Sequence, residues 1–408
     1  MAAAPPAWGV QYTLCLPTQE AARAVAAELA GMGHRLTAVR LQDHFRFVKS
    51  SFWYGSPQTD PELEGWWNVF SMAVHSGHER MALEAFLRDE RIRMARVARA
   101  HGGFHHGSSE AHAETLERVF TREGLVHEQD GAEVPVPVPL SVEPARPPAA
   151  PPWPRIEVGE PAMLVRSVEA VAERMYGGAD DPPAAVAWLL SEDFAFAEPY
   201  GSAYEFLGDL ADAVAHQGTC TDDTVEAVPF LAGLVLDDSV PAGSRLILLG
   251  DLMLLAATGP SMIVALADRT AALDAPWQEP AAAELTRQAI SREVPELLLL
   301  RNQESEAIRF ALAGLATVCG LRGLHVRERL DALSAPAPHT VRADIVALMT
   351  ALADDDPDSL NSALGRLSSW QPQVMEEIGN PHVRRRDLAL AVLPDLVMED
   401  VRPALSPS

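Results

Sequence analysis

Residues 10–41 read VQYTLCLPTQEAARAVAAELAGMGHRLTAVRL, and this stretch decides the fold of the first part of the chain. Val10 to Leu16 is short, rich in β-formers, and ends at Pro17-Thr18. Thr18 is a natural N-cap for Gln19 to Met32, an alanine-rich segment that predicts a helix stopping at Gly33. His34 to Leu41 then alternates polar and apolar residues, as a half-buried strand does.

Working outward, Trp66 to His75 (WWNVFSMAVH) predicts a third strand. Glu79 to Ala100 sets Met81, Leu83, Phe86, Leu87, Met94, Val97 and Ala98 along a long amphipathic helix closed by Gly102-Gly103. The order β-α-β-β-α is that of a split βαβ, ferredoxin-like unit. A fourth edge strand is left open, and a last helix is expected over 109–123. Gly131 to Arg155 holds nine prolines, each fixing φ and removing a backbone donor. That stretch predicts a semi-rigid, PPII-like tether in preference to a proline-motif ligand.

Beyond the tether there is no strand pattern. Short apolar segments of helical period alternate with Gly, Pro and Asp breaks, with separate helices predicted over 241–257 and 261–272, and over 279–290 and 292–300. Two turns share one design: Asp237-Asp238-Ser239-Val240 leads to Arg245, and Asn380-Pro381-His382-Val383 leads to Arg384-Arg385-Arg386. A loose period of about 40 residues suggests stacked helical hairpins. The expected architecture is therefore an α+β ferredoxin-like domain over 8–128, a Pro-rich linker over 129–157, and an all-α solenoid over 158–402.

Composition narrows the function. The chain has 408 residues, is 48% hydrophobic and carries a formal charge of −25, which argues against a broad grip on DNA, RNA or anionic lipid. Residues 1–130 carry a net −3 and the remainder −22, whereas nine of the 13 histidines precede residue 131. Cys15, Cys220 and Cys319 are too sparse for a disulfide framework, and the N-terminal residues do not form a signal peptide. The run Leu246 to Ala257, interrupted by Asp251, reads as too short to span a bilayer. A soluble cytoplasmic protein is expected, with no membrane association.

Two resemblances sharpen this reading. Trp66-Trp67-Asn68-Val69 and Ala98-Arg99-Ala100-His101-Gly102-Gly103 resemble the RraB family of ribonuclease E inhibitors, whose fold is ferredoxin-like with a tryptophan-led third strand. That family follows its paired glycines with an aromatic–acid–Gly–Trp signature; here Phe104-His105-His106-Gly107-Ser108 keeps the aromatic and the glycine but not the acid or tryptophan. Residues 380–389 resemble the inner-helix start of a HEAT repeat, and His216-Gln217-Gly218-Thr219 with Ala227-Val228-Pro229-Phe230-Leu231 is similar to a HEAT-like helix pair. The resemblances imply a protein-binding regulator, with ribonuclease E as a candidate partner of the first domain.

Candidate chemistry is thinner. His101, His105, His106 and His112, with His75 and His78 nearby, could supply zinc ligands, but Gly102-Gly103 should break the i, i+4 geometry, and the bland reading of surface histidines is favoured. Phe45, Phe47, Phe52, Trp53, Tyr54, Trp66 and Trp67, with Arg46 and Lys49 among them, could stack RNA bases, but covering a sheet face is favoured, and if exposed they meet a protein partner in preference to RNA. Arg88, Arg91, Arg93, Arg96 and Arg99 read as a solvated helix face that could also hold acidic side chains of the second region. Asp354-Asp355-Asp356 and Asp180-Asp181 read as helix caps. No phosphate loop or nucleophile elbow occurs.

The expectation is thus a non-enzymatic binding protein with no cofactor and no metal. Its partner-binding residues would be Trp53, Tyr54, Trp66, Trp67, Phe104, His105 and His106. Two alternatives stand: an acidic, toxin-neutralising or immunity-type protein that blocks a basic partner, and a metal-dependent enzyme built on the histidine cluster.

Overall fold

In the computed structural model, β1 (Trp8–Leu16) is a central strand of a four-stranded antiparallel sheet. The structure describes residues 8–41, 63, 65–75, 80–113, 116, 152–156, 159–176, 186–187, 189–190, 202–215, 219–301, 304–321, 326–333, 340–369, 371, 374 and 377–405. Contacts divide the chain into one unit of residues 1–143 and 266–276 and another of residues 144–265 and 277–408.

In the first unit β1 is followed by α1 (Gln19–Gly31), β2 (Arg35–Leu41), β3 (Trp67–His75), α2 (Arg80–Ala100) and β4 (Phe104–His112). The sheet order is β2-β3-β1-β4, so each strand–helix–strand passage skips the place that another strand fills. Thr18 caps α1, its hydroxyl accepting from the Ala21 N–H at 3.1 Å. Both helices stop by one device. Gly33 and Gly102 take positive φ, and the following residues, His34 and Gly103, donate backwards to Leu29 and Ala98 carbonyls at 3.1 and 2.9 Å. This double turn satisfies carbonyls that the helix end would leave bare, and it launches the next strand. Gly103 is required for another reason: a Cβ there would lie 2.2 Å from the Cys15 carbonyl oxygen.

The strand at Phe104–His112 corrects the helix expected from residue 109. FHHGSSEAH has little β-propensity, but β1 offers it an unpaired edge, and the ladder to β1 runs from Cys15↔Phe104 to Trp8↔His112. Tertiary pairing overrides local preference here. Alternation along β1 sends Val10, Tyr12, Leu14 and Leu16 toward α1 and α2, where they pack with Val25, Leu29, Met94 and Val97. On the opposite face Cys15 and Phe104 are buried with Leu63, and Gly9 lies against Leu116 and Met72. Residues Leu266–Pro276 belong to this unit, and they carry the short helix α7 (Ala267–Leu273).

The second unit is helical: α3 (Pro161–Tyr176), α4 (Ser202–Val214), α5 (Asp222–Leu236), α6 (Ala242–Ala265), α8 (Ala281–Leu300), α9 (Glu306–Val318), α10 (Val326–Leu333), α11 (Val341–Asp354), α12 (Pro357–Leu367) and α13 (Arg385–Val401). Two breaks expected from the sequence do not occur. α6 runs on through Gly259-Pro260 and α8 through Ser291, and α8 also accommodates Pro295, because packing of the flanking turns outweighs the one backbone bond each proline removes. By length and composition the 24-residue α6 could cross a membrane, contrary to the short span expected, although most of it is buried among α5, α8, α9 and α13.

The expected Asp–Arg turns are present as a ladder. Arg301 reaches Asp238 at 2.6 Å, Glu304 at 2.7 Å and the Leu236 carbonyl, while Arg245 meets Glu304 at 3.2 Å. Arg386 takes Asp355 at 2.7 Å across the next pair of turns. At the last stretch of the proline-rich segment, Trp153 is buried beside Phe230 with the Arg174 guanidinium 4.7 Å from its ring centre. Ile156 fills the space that Gly233 leaves on α5.

Candidate functional site

The expected partner-binding residues do not form one group. Trp53 and Tyr54 lie outside the described residues. Of the others, strand alternation sends two to one sheet face and three to the other. Trp67 packs on the helix-covered core, and His105 stands beside Tyr12 at 5.8 Å between ring centres. Trp66, Phe104 and His106 make a row on the opposite face, with centres 5.7 Å and 6.3 Å apart in turn. Trp66 is half-buried, Phe104 buried and His106 exposed, so the row has its buried ring in the middle and opens at both ends. Ala272 and Leu273 of α7 lie against the same small core, and Arg99 holds α7 by two hydrogen bonds to Asp268, at 2.8 and 2.7 Å. One member of the arginine series therefore grips an acidic residue of the 158–402 segment.

The histidines are dispersed by the same alternation. His101 meets Glu28 at 3.2 Å, His105 the Gly107 carbonyl at 3.0 Å, and His106 faces the other way. Among the described residues no group of three His, Cys, Asp or Glu side chains is placed to hold a metal ion. Burial pushes the His105 imidazole down to about 4, and the nearby Arg91 charge adds to this.

A constellation that the sequence did not advertise lies on the helix-covered face. His34, delivered by the glycine turn after α1, shares a 2.7 Å hydrogen bond with the Ser71 hydroxyl through Nδ1 and a 3.1 Å one with Glu90 through Nε2. Arg93 closes the chain on Glu90 at 2.8 Å. Serine, histidine and carboxylate are the members of a nucleophilic triad. However, Ser71 is fully buried, and the His34 and Glu90 side chains are 4% and 5% exposed. In this closed state no substrate reaches the hydroxyl, so the chain of bonds ties β3, α1 and α2 together. The one available signal was His34 itself, a polar residue straight after a helix-stopping glycine.

In the second unit, α6 carries a carboxylate that stands outside the ion-paired turns. Asp251 makes no hydrogen bond or ion pair among the described residues, and burial alone pushes its carboxyl up to about 7. It nevertheless keeps part of its surface open. No family model, curated protein or solved structure matches the chain.

Proposed function

We propose that the chain is a cytoplasmic, non-enzymatic, protein-binding regulator. In it a ferredoxin-like unit binds a partner in the manner implied by its resemblance to RraB, and a HEAT-like helical region adds a second binding surface. The observation that carries this reading is the row Trp66–Phe104–His106. Its middle ring, Phe104, is a buried anchor flanked by half-buried Trp66 and exposed His106, on β4, which is an edge of the sheet. Aromatic anchors rooted in a core and open at the ends are the usual centre of a protein interface. The altered Phe104-His105-His106-Gly107 turn would reshape recognition, with ribonuclease E as the first candidate partner.

Affinity purification with the full chain and with Trp66→Ala and His106→Ala variants tests this. Recovery of a ribonuclease or an associated RNA-processing component by the parent, at least about fivefold reduced in the variants, is expected. Recovery of none removes the specific version, and equal recovery by all three moves the interface elsewhere.

The second reading, an immunity-type blocker of a basic target, is favoured by one fact: residues 131–408 hold −22 of the −25 charge. A complex that weakens steeply with salt, whatever the residue at 66 or 106, would support it instead.

A further inference from the structure

Register within the second unit places two accessible stripes side by side. Arg245 meets Glu304, just before α9, and Met253 meets Gly314 within it, so α6 and α9 run parallel. Arg342 bonds both Glu306, at the start of α9, and Asp400, at the end of α13, while Gly314 also touches Val397. α13 therefore runs antiparallel to α9 and to α6. Gly250 of α6 rests against Met398 of α13.

Helical spacing then sets the exposed residues. On α6, Ile247, Asp251, Leu254 and Thr258 keep accessible surface one turn apart, and on α13 Ala391, Asp395, Met398 and Glu399 do the same. Both stripes are rotated the same way from the Gly250–Met398 contact. In antiparallel helices that brings them to the same side of the seam. The surface so formed mixes apolar and acidic groups. Leu254 is 48% exposed on a helix most of which is buried. Among the described residues Asp251 has no cation beside it, and burial together with Glu399 raises the Asp395 carboxyl. Glu399 accepts from Gln371 at 2.5 Å, and Arg402 bounds the patch at its far end.

We propose that the seam between α6 and α13 binds a cationic amphipathic helix of a partner protein, its apolar stripe on Leu254 and Met398 and its lysines or arginines on Asp251, Asp395 and Glu399. Charge complementarity selects this occupant. A carboxylate set between Ile247 and Leu254 with no cation among the described residues is costly alone and is relieved by a cation arriving from outside. An acidic or neutral segment would gain nothing from it. The alternation of apolar and acidic groups along both helices matches a ligand with apolar and basic residues on one face. This inference rests on reading the helical region as a protein-binding surface.

Fluorescence anisotropy with the full chain and a labelled Leu/Lys peptide of about 18 residues, patterned for one helical face, is the test. A scrambled peptide of equal composition is the comparison. The patterned peptide is expected to bind at least about tenfold tighter. Asp251→Asn and Leu254→Ser should each weaken it by about fivefold, whereas Glu169→Gln on the exposed side of α3 should stay within about twofold. Equal binding of the scrambled peptide, an equal loss with Glu169→Gln, or no binding at all would overturn the proposal. Circular dichroism of each variant guards against misfolding. Because Trp66 and His106 play no part here, their variants keep peptide binding even if the partner-capture experiment fails, so the two readings fail separately.

Discussion

His105 stands with its ring against Tyr12, and burial keeps it neutral down to about pH 4. An unfolded histidine gains its proton near pH 6.5, so between those values the unfolded chain binds more protons and stability falls on acidification. His105→Gln removes that term. In urea titrations from pH 7 to pH 5, the parent is expected to lose about 1–2 kcal/mol more than this variant. Asp251 has the opposite sign. Its folded carboxyl holds a proton up to about pH 7, above the unfolded value near 4, so its contribution is present in acid and lost as pH rises through 7. Asp251→Asn should be about 1–3 kcal/mol more stable than the parent at pH 8, with the gain shrinking toward pH 5. Neither residue's titration could be read from the sequence, which offered His105 only as a partner-binding or metal-binding candidate. His105 was one histidine among several, and Asp251 an interruption in a greasy run; each is defined by what surrounds it.

At the scale of the element, the glycine pairs were legible because backbone geometry leaves them no alternative. Gly102 sits at φ 74° and Gly103 against the Cys15 carbonyl, so the stop of α2 could be read before any contact was known. Gly103→Ala should therefore cost at least about 2 kcal/mol, measured as a lower urea midpoint with an unchanged slope. β4 was not legible. Its residues have no strand pattern, and its existence depends on an edge of β1 that lies far away in sequence. Breaks misled in the other direction: Gly259-Pro260 and Ser291 read as helix ends, yet both helices continue. Pro295 is exposed, and Pro295→Ala restores one donor without disturbing the core. The melting temperature of that variant is expected to rise, by about 1–3 kcal/mol in equivalent stability.

For the whole molecule, the sequence separated an α+β part from a helical part, and the structure agrees at that level. The Asp–Arg turn design also appears, with Arg245 meeting Asp238 at 3.5 Å, while Arg301 and Glu304, which the turn did not announce, join them. The candidate site fared less well. Five of its seven residues fall within the described structure, and strand alternation divides them between two faces, which a list of nearby aromatics could not reveal. Charge is again a whole-molecule property. With −22 on residues 131–408, self-repulsion opposes compaction, and thermal unfolding should move up by a few degrees when salt is raised from about 0.02 to 0.3 M. A fall over that range would mean that the ion-pair ladder matters more than the excess charge.

The assignment of Leu266–Pro276 to the first unit has a bearing on biosynthesis. On the ribosome, β1 emerges first but lacks its second neighbour until β4 has been made. The Cys15–Phe104 core then waits for Ala272 and Leu273, which follow much of the helical region. During that interval the nascent chain exposes an apolar sheet face, at elongation rates of about 5–20 residues per second for several seconds or more. A fragment ending in the proline-rich segment would be held in that unfinished state permanently, prone to associate through the surface that α7 covers in the complete chain.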